Sequence, residues 1–506
     1  MEVGHGTAAC IPISARDRQG CWRPSRGCGP YDGAGPAHHF GSAVSLPRPR
    51  GRQPYVIYFP SDSHQVVLGT AGTGKTTMAM LRAEHLAAPT TRNHGKVLVV
   101  TFNNTLVTYL RWLQPETAQN ITIETYGRFA RGYLNSWGLM PRWNGIAGPL
   151  QRRSLVEASV SEVAEGRERS RFLRRDTGFF LDELEWISGM GVHTLADYQE
   201  VERIGRRTGL PEYQREAVWD IRDEYLARRE EAGYLYDWYD LASTVRAQLA
   251  RDQSPRLYKH IVIDEGQDLS PEAVRSLVEA CDPSGSVTFF GDYHQMIYGE
   301  GISWRSCGLR IQAVERFADN YRNTTAIARL AIAMSRMPHM AGDPEDLVEP
   351  KQPVAAGAPP TLASCRDEEQ EIEVVRQQAR DLARNGTVAV LARTWADARR
   401  ACRRLQVRRL HNDLARWDVE PGIYCGAYHS AKGLEFDAVI MPFCGESHMP
   451  HPDRVVAFGQ AEAMAREGRL LYVGLTRAKA ELLITYSGNL TPLLPADDNL
   501  YVKVEL

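Results

Sequence analysis

The chain has 506 residues, of which 43% are hydrophobic and 24% are charged, and its formal net charge is −2. This length exceeds what one hydrophobic core usually supports, so about two to four domains are expected. The near-neutral charge excludes nucleic-acid binding through a global basic field and leaves a local groove as the route. No apolar run approaches the roughly 18–20 residues that cross a bilayer, and the N-terminus lacks a signal-peptide core. We therefore expect a cytoplasmic protein without membrane contact.

The first 52 residues are rich in Gly, Pro, Arg and His and contain no periodic apolar segment. Such a stretch buries too little apolar surface to offset the entropy lost on ordering. We expect it to be a disordered extension, with a start codon assigned too far upstream as the alternative.

A phosphate-binding signature follows the apolar run at 66–68. Residues 69–76 read GTAGTGKT and fit G-x-x-x-x-G-K-[ST], and a helical pattern begins directly afterwards. In a strand, glycine loop and helix, the loop amides converge on phosphate oxygens at the helix N-terminus. The motif predicts a nucleoside triphosphate site in which Lys75 reaches the β- and γ-phosphates and Thr76 ligates Mg²⁺. The predicted nucleotide-binding residues are Gly69, Thr70, Ala71, Gly72, Thr73, Gly74, Lys75, Thr76 and Thr77.

Apolar runs typical of strands alternate with helical patterns along most of the chain, which predicts parallel α/β sheets. Between about 138 and 245 the pattern turns helical and charged, and we expect a helical insertion there. A segment rich in proline and small residues near 350–360 predicts a surface loop. The predicted strands lie at 96–102, 121–123, 261–263, 287–290, 387–391, 438–441 and 482–485.

Polar side chains follow two of these strands at the edge of the sheet where ligands bind. Asp264 and Glu265 come directly after the run at 261–263. Asp264 would hold Mg²⁺ through water, and Glu265 would orient and deprotonate the attacking water. Gln295, beyond the run at 287–290, would sense the γ-phosphate at the same edge.

Six motifs in order, between about 65 and 485, resemble those of the UvrD/Rep type of superfamily 1 helicase. They read GTAGTGKTT, DEGQD, GDYHQMIY, NYRN, HSAKGLEFD and YVGLTRAK. The resemblance implies two RecA-like P-loop domains, at 53–315 and 316–506, with the helical insertion in the first. It also implies that ATP and Mg²⁺ bind in the cleft between them.

The resemblance further assigns roles on the second-domain side of that cleft. Tyr321 would stack on adenine and Arg322 would contact the γ-phosphate, chemistry suited to an aromatic ring and a guanidinium group. Glu435 would contact the ribose, and Arg477 would act as an arginine finger.

The implied partner is single-stranded or duplex DNA. Residues 101–104 and 122–129 resemble the segments with which the family contacts the strand, and small polar and aromatic side chains suit that task. Trp304 would stack a base, with packing in the core as the alternative.

The chain departs from the family pattern in three places. The adenine-reading glutamine should lie roughly twenty residues before Lys75, but residues 53–55 show no clear motif there, and Gln65 lies on the strand itself. About 25 residues separate 394 from 421, so the large extra domain of bigger family members has no room. Finally, residues 299–303 displace Trp304 from its usual distance.

These features predict an ATP-dependent DNA helicase or translocase that moves on single-stranded DNA. The resemblance implies 3′ to 5′ movement and a role in DNA repair, recombination or phage defence, with an accessory protein of such an assembly as a partner. A nucleic-acid-gated ATPase or translocase subunit that does not unwind duplexes is the main alternative. An RNA substrate, an ATP-controlled binding module with negligible turnover, and the oligomeric state stay open.

Overall fold

The computed structural model describes residues 46, 48–114, 120–141, 145–167, 170–203, 206, 209–292, 304–311, 313–340, 355–411, 414 and 416–506. Its strands are β1 (Gln65–Gly69), β2 (Val97–Thr101), β3 (Ile121–Thr125), β4 (Ile146–Ala147), β5 (Tyr236–Asp237), β6 (Tyr258–Ile263), β7 (Cys281–Gly291), β8 (Val314–Phe317), β9 (Thr361–Cys365), β10 (Thr387–Ala392), β11 (Arg408–Arg409), β12 (Gly422–Ala427), β13 (Phe436–Met441), β14 (Ala478–Ser487) and β15 (Val502–Glu505). Its helices are α1 (Gln53–Ile57), α2 (Lys75–Ala87), α3 (Asn104–Leu113), α4 (Tyr126–Ser136), α5 (Pro149–Glu165), α6 (Thr177–Met190), α7 (Leu195–Glu200), α8 (Glu212–Glu231), α9 (Leu241–Leu249), α10 (Pro271–Ala280), α11 (Thr325–Ser335), α12 (Glu368–Leu382), α13 (Trp395–Ala401), α14 (Pro452–Phe458) and α15 (Gln460–Leu475).

The first sheet has six parallel strands in the order β3-β2-β6-β7-β1-β8. Strand β2 is buried at every residue, as expected for a parallel strand covered by helices on both faces. Strands β1 and β6 flank β7 and run in the same direction, so their carboxyl ends meet at one edge of the sheet. That edge brings the glycine loop after β1 close to the acidic pair after β6.

The second sheet has seven parallel strands in the order β11-β12-β10-β13-β14-β9-β15. Every apolar run predicted as a strand lies in one of the two sheets, and the predicted α/β class with two RecA-like units is confirmed. In the second half, the motif HSAKGLEFD follows the carboxyl end of β12, whereas YVGLTRAK runs into the amino end of β14. Lys432 of the first motif and Arg477 of the second both lie near the acidic residues that follow β6, so both motifs face the first sheet.

A helical unit interrupts the first half. Strands β4 and β5 pair with each other, Ile146 opposite Tyr236, and mark where the chain leaves and returns. Helices α5 to α8 between them bury a separate hydrophobic core that includes Phe172, Phe180 and Trp219. This unit lies inside the range 138–245 proposed from the sequence, while α9 packs in the core of the first sheet.

The structure adds detail at the proposed domain limits. Strand β8 pairs with β1, so the division proposed at 315/316 falls inside a strand of the first sheet. Residues 48–52 lie within the extension expected to be disordered, yet Arg52 pairs with Glu315 at 2.7 Å and the backbone of Arg50 bonds to Gln53. Residues 1–45 and 47 lie outside the described residues, as do 341–354, so only 355–360 of the proposed loop is described, and this part has no regular structure. Among the described helices, none is long and apolar enough to cross a membrane.

Candidate active site

The glycine loop joins β1 to α2 at the edge of the first sheet. Gly72 and Gly74 have φ angles of +81° and +80°, which favour glycine. A Cβ atom on Gly72 would also lie 2.1 Å from Oδ1 of Asn320. Lys75 opens α2, and its Nζ donates to the carbonyl oxygens of Gly69 and Thr70, at 2.8 Å each. The lysine therefore lies inside the curve of the loop, where it would meet phosphate.

Lys75 is buried among charges of both signs. Burial lowers the pKa of this amine, and the carboxylate of Asp292, 3.7 Å from its Nζ, opposes that effect. Glu265 and Asp264 also favour the charged form, while Arg322 disfavours it. A lysine held in this way is suited to a phosphate, whose negative charge replaces that of the carboxylates.

The two residues predicted to hold Mg²⁺ lie together. Asp264 is buried, and its two carboxylate oxygens have no hydrogen-bond partner within the described part of the chain. Burial and the neighbouring Glu265 raise the pKa of Asp264 to about 7, against a smaller opposing effect of the nearby Thr76 hydroxyl and of Lys75. A buried carboxylate without a donor, beside a threonine hydroxyl, fits a hard cation that takes oxygen ligands.

Glu265 differs from its neighbour in both backbone and charge. Its φ of +53° is uncommon for a residue with a side chain and is a form of strain found at functional sites. Burial opposes its ionisation, but the charges of Lys432, Lys75 and Arg477 outweigh this effect and lower the pKa of Glu265. Its Oε2 accepts a hydrogen bond from Nε2 of Gln267 at 2.5 Å. The charged form of Glu265 is therefore favoured, as a proton acceptor requires.

The segment between the two sheets connects the glycine loop to the last motif. The amide of Tyr321 donates to the carbonyl oxygen of Gly72 at 2.9 Å. Two residues later, Nδ2 of Asn323 donates to the carbonyl oxygens of Thr476 and Ala478, at 3.3 and 2.5 Å. These bonds bring the residues on either side of Arg477 toward the nucleotide loop.

The predicted phosphate-contacting arginines lie on the second-sheet side of the cleft. Arg477 is buried, and its guanidinium donates to the carbonyl of Val473 at 3.0 Å. Burial and the nearby charge of Arg322 lower the pKa of Arg477 to about 10, while Glu265 and Glu435 act in the opposite direction. Arg322 itself pairs with Glu435, with 2.5 Å between Nη2 and Oε1. The predicted ribose and γ-phosphate residues therefore contact each other.

A buried ion pair crosses the cleft next to the acidic motif. Nζ of Lys432, in HSAKGLEFD, lies 2.7 Å from Oδ1 of Asp268, in DEGQD. Nearby, Nδ2 of Asn103 donates to the carbonyl of Lys432 at 3.5 Å, and a Cβ on Gly433 would lie 2.6 Å from a methyl carbon of Leu106. The two halves of the site therefore pack directly against each other.

Two family models match this chain, one over each sheet. A model of an AAA domain matches residues 60–300, and a model of the UvrD-like helicase C-terminal domain matches residues 405–489. Together the two matches support the resemblance to the UvrD/Rep type of superfamily 1 helicase.

Curated proteins similar to this chain carry related names. The ATP-dependent DNA helicase UvrD2 of Mycobacterium tuberculosis is 24% identical over 84% of this chain and 77% of its own length. The ATP-dependent DNA helicase PcrA of Staphylococcus aureus is 40% identical over 15% of this chain and 10% of its own. A solved C-terminal domain of a possible DNA helicase from Lactobacillus plantarum WCFS1 matches 36% of this chain and 98% of its own, at 25% identity and a TM-score of 0.27. At that TM-score the likeness is too low to compare individual elements.

The described structure does not support the proposed role of every predicted residue. Gln295 falls in 293–303, outside the described residues. Trp304 is half-buried and packs edge-on against Phe289, with 4.8 Å between ring centroids, which favours the core alternative. Within 122–129, Phe129 is buried and the Tyr126 hydroxyl hydrogen-bonds to Ser276 at 2.7 Å, so neither ring is free to stack a base.

Sequence reasoning missed Gln53. This side chain is buried beside the glycine loop, where its Nε2 donates to the carbonyl of Thr73 at 2.8 Å and its Oε1 accepts from the amide of Arg50. No clear motif was expected at 53–55, and the structure places Gln53 of this stretch against the glycine loop. Its distance of 22 residues from Lys75 was the available signal. Gln53 is the first residue of α1 and directly follows the extension at 1–52, which obscured this signal.

Sequence reasoning also missed Trp238. Its ring is 44% exposed, and it covers Gly127, on which a Cβ atom would lie 3.1 Å from the ring. The guanidinium of Arg131 lies 5.9 Å from the ring centroid. An exposed tryptophan beside an arginine is a suitable surface for an unpaired base. The only sequence signal was its place between two acidic residues after β5.

Proposed function

We propose that this chain is an ATP-driven motor that moves along single-stranded DNA and unwinds duplexes. The observation that carries the proposal is the arrangement of charge across the cleft. Lys75, Asp264 and Glu265 at the edge of the first sheet lie within electrostatic reach of Arg322 and Arg477 from the second. A site divided between two units is sensitive to how those units move.

Each residue has a role in the proposed hydrolysis. Glu265 orients the attacking water and accepts its proton, which its favoured charged form permits. Lys75, Arg322 and Arg477 bind the γ-phosphate and stabilise the charge that spreads over its oxygens in the transition state. Thr76 and Asp264 would hold Mg²⁺, which when bound neutralises phosphate charge.

The nucleotide base would lie between Gln53 and Tyr321. An amide side chain has two N–H donors and two acceptor lone pairs. Gln53 uses one donor and one lone pair in hydrogen bonds to the protein, so one donor and one lone pair remain for the N6 and N7 edge of adenine. The ring of Tyr321 is 43% exposed, so its face is accessible for stacking. Glu435 is proposed to contact the ribose, in place of its present pairing with Arg322.

We infer that the strand runs across both units near Asn104, Arg128 and Trp238, each exposed on the first unit. Closure of the cleft on ATP and its opening after hydrolysis would then ratchet the strand. The family resemblance supports 3′ to 5′ movement in repair, recombination or phage defence. The cytoplasm is the proposed location, and an accessory protein of such an assembly is the proposed partner.

The second candidate is a translocase or gated ATPase that does not unwind duplexes. One observation favours it: only α13 and β11 lie between β10 and β12, so the second unit has no inserted domain in the described part of that connection. Such a chain would use the same cleft without a surface that destabilises a duplex.

Two measurements on the purified chain test the proposal. Phosphate release should rise when single-stranded DNA is added, and a 3′-tailed duplex should be displaced with ATP. Lys75→Ala should abolish both, since the phosphates lose their lysine. Stimulation without displacement would favour the second candidate, stimulation by RNA alone would change the substrate class, and no ATP turnover by the unaltered chain would contradict both motors.

A further inference from the structure

Helix α6 of the helical unit connects the two sides of the ATP cleft. At its N-terminal end, Gly178 lies against α14, where an added Cβ would be 3.4 Å from Ala457. At its C-terminal end, the carbonyl of Met190 accepts a hydrogen bond from Arg275 of α10 at 2.8 Å. With 14 residues, α6 spans about 21 Å. It is therefore a strut between the first and second units.

The helices at the two ends of this strut are connected along the chain to candidate catalytic residues. Helix α10 follows directly after Asp264 and Asp268, and its N-cap, Ser270, packs against Gly189 of α6. Helix α15 ends two residues before Arg477. Residues 468–475 of α15 are buried in the second unit, so the helix moves as one body.

Asp182, on α6, makes a charged contact with α15 of the second unit. Its Oδ1 lies 2.6 Å from Nη1 of Arg466 on α15, and its Oδ2 lies 3.0 Å from Nη2, which is a bidentate pair. Within the helical unit, Arg206 holds the same carboxylate and donates to the Asp182 carbonyl at 2.9 Å. Glu462, one turn before Arg466, fixes that guanidinium at 2.7 Å, and the ring of Phe458 lies 4.4 Å from it. Asp182 and Arg466 are therefore each fixed by contacts within their own unit.

We propose that Asp182 is a positioning residue for Arg477: through Arg466 it holds the arginine-finger helix at a set distance from the acidic motif. This inference rests on the proposed function, because it gives the helical unit a part in the same hydrolysis. Loss of the contact leaves the nucleotide loop intact but lets α15 withdraw from the cleft. The effect therefore falls on the chemical step and not on ATP binding.

The alternative is that the Asp182–Arg466 pair is an ordinary ion pair that contributes little to stability or activity. The two readings differ in what a variant changes. A half-buried pair with only that structural role alters neither kcat nor KM. A positioning contact lowers kcat, leaves KM for ATP unchanged and makes the two partners non-additive.

The test is steady-state ATPase with saturating single-stranded DNA. We expect Asp182→Asn and Arg466→Gln each to lower kcat by about fivefold or more, within the usual range of coupling between sites. KM and the affinity for a fluorescent ATP analogue should stay within about twofold. The double variant should be no slower than either single variant. Asp220→Asn is the matched control, because its exposed pair with Arg167 lies wholly inside the helical unit.

Every other outcome decides against the inference. Unchanged kcat in both variants, a raised KM at normal kcat, or additive losses in the double variant would overturn it. If Asp182→Asn does not fold, Arg466→Gln and Arg466→Lys replace it, and lysine should restore part of kcat because it keeps the charge but not the fork.

Failure of the proposed function is distinguishable. If the unaltered chain hydrolyses no ATP, hydrogen exchange of residues 452–475 is compared with and without a non-hydrolysable ATP analogue. The inference predicts protection by the analogue in the unaltered chain and loss of that protection in Asp182→Asn. Equal protection in both would overturn it.

Discussion

Substitution of Arg477 tests most directly whether the candidate active site is divided between the two units. Arg477→Ala removes a guanidinium that is proposed to contact the γ-phosphate from the second unit, so we expect kcat to fall by about 10³-fold with ATP affinity retained. Arg477→Lys should recover little, because an ammonium lacks the planar fork. Steady-state ATPase and titration with a fluorescent nucleotide measure the two effects. Arg384→Ala, on an exposed arginine of the same unit, is the control.

A structural role for Arg477 would give a different result. Its guanidinium also donates to the carbonyls of Val473 and Leu434, at 3.0 and 3.4 Å, so truncation removes bonds inside the second unit. If a fall in melting temperature accounts for the lost activity, and ATP affinity falls in parallel, the arginine-finger role is wrong.

Asp264 predicts a pH dependence of stability. Its pKa is raised from 3.8 to about 7 by burial and by Glu265, so the folded chain keeps this proton to a higher pH than the unfolded chain. Stability is therefore lost as pH rises between these values, and the loss is complete above pH 7. Three pKa units correspond to about 4 kcal/mol, an upper bound for this group. Asp264→Asn should melt higher than the unaltered chain at pH 8, and the difference should shrink toward pH 5.

Magnesium supplies the control for that experiment. Mg²⁺ binds the folded form and should raise the melting temperature of the unaltered chain at pH 8, but not that of Asp264→Asn. A higher melting temperature of the unaltered chain than of Asp264→Asn at pH 8 would show that the carboxylate stabilises the fold, contrary to the prediction.

At the level of elements, the short helix α1 depends on one buried side chain. Arg82 of α2 is fully buried and donates to the carbonyls of Ile57, Phe59 and Pro60 at 2.7–2.9 Å, which ties down the end of α1. Arg82→Met should release α1 and with it Gln53. We expect weaker ATP binding and a smaller preference for ATP over GTP, measured by competition titration.

Gln53→Ala is the matched comparison for Arg82→Met. It should reduce the ATP preference by about the same factor, because a site that hydrogen-bonds one base rejects another that lacks the matching groups. An unchanged preference in Gln53→Ala would remove this residue from base recognition, and an effect of Arg82→Met alone would then reflect the glycine loop.

The elements also show how far a sequence of this kind can be interpreted. Strands such as β2 and β6 were predictable, since their unbroken runs of Val and Ile signal burial on both faces. Strand β8 was not, because its sequence Val-Glu-Arg-Phe is half polar and gains its place only by pairing with β1. Motif residues were found because fixed short spacings mark them. Asp182 and Arg466, which lie 284 positions apart, have no such mark.

At the level of the whole molecule, contacts around the nucleotide site hold the two units in one arrangement. Among them, Lys432 pairs with Asp268, Asp182 pairs with Arg466, and the amide of Tyr321 donates to the carbonyl of Gly72. The Lys432 pair is buried, so breaking it leaves a charge without its partner, which is costly. Because these contacts surround the nucleotide site, movement of the units and occupancy of that site must be coupled. A net charge of −2 provides no global attraction for a nucleic acid, so in the proposed motor each unit would bind the strand locally in turn.

A motor whose two units bind the strand alternately moves along it in one direction. That direction can be measured without a duplex. If the units carry the chain from 3′ to 5′, it should push streptavidin from a biotin at the 5′ end of a single strand and leave a 3′ block in place. Lys75→Ala should displace neither, which controls for spontaneous release. Preferred release from the 3′ end would reverse the proposed direction. ATP-dependent release from the 5′ end, without displacement of a 3′-tailed duplex, would identify a translocase in which the missing inserted domain accounts for the lack of unwinding.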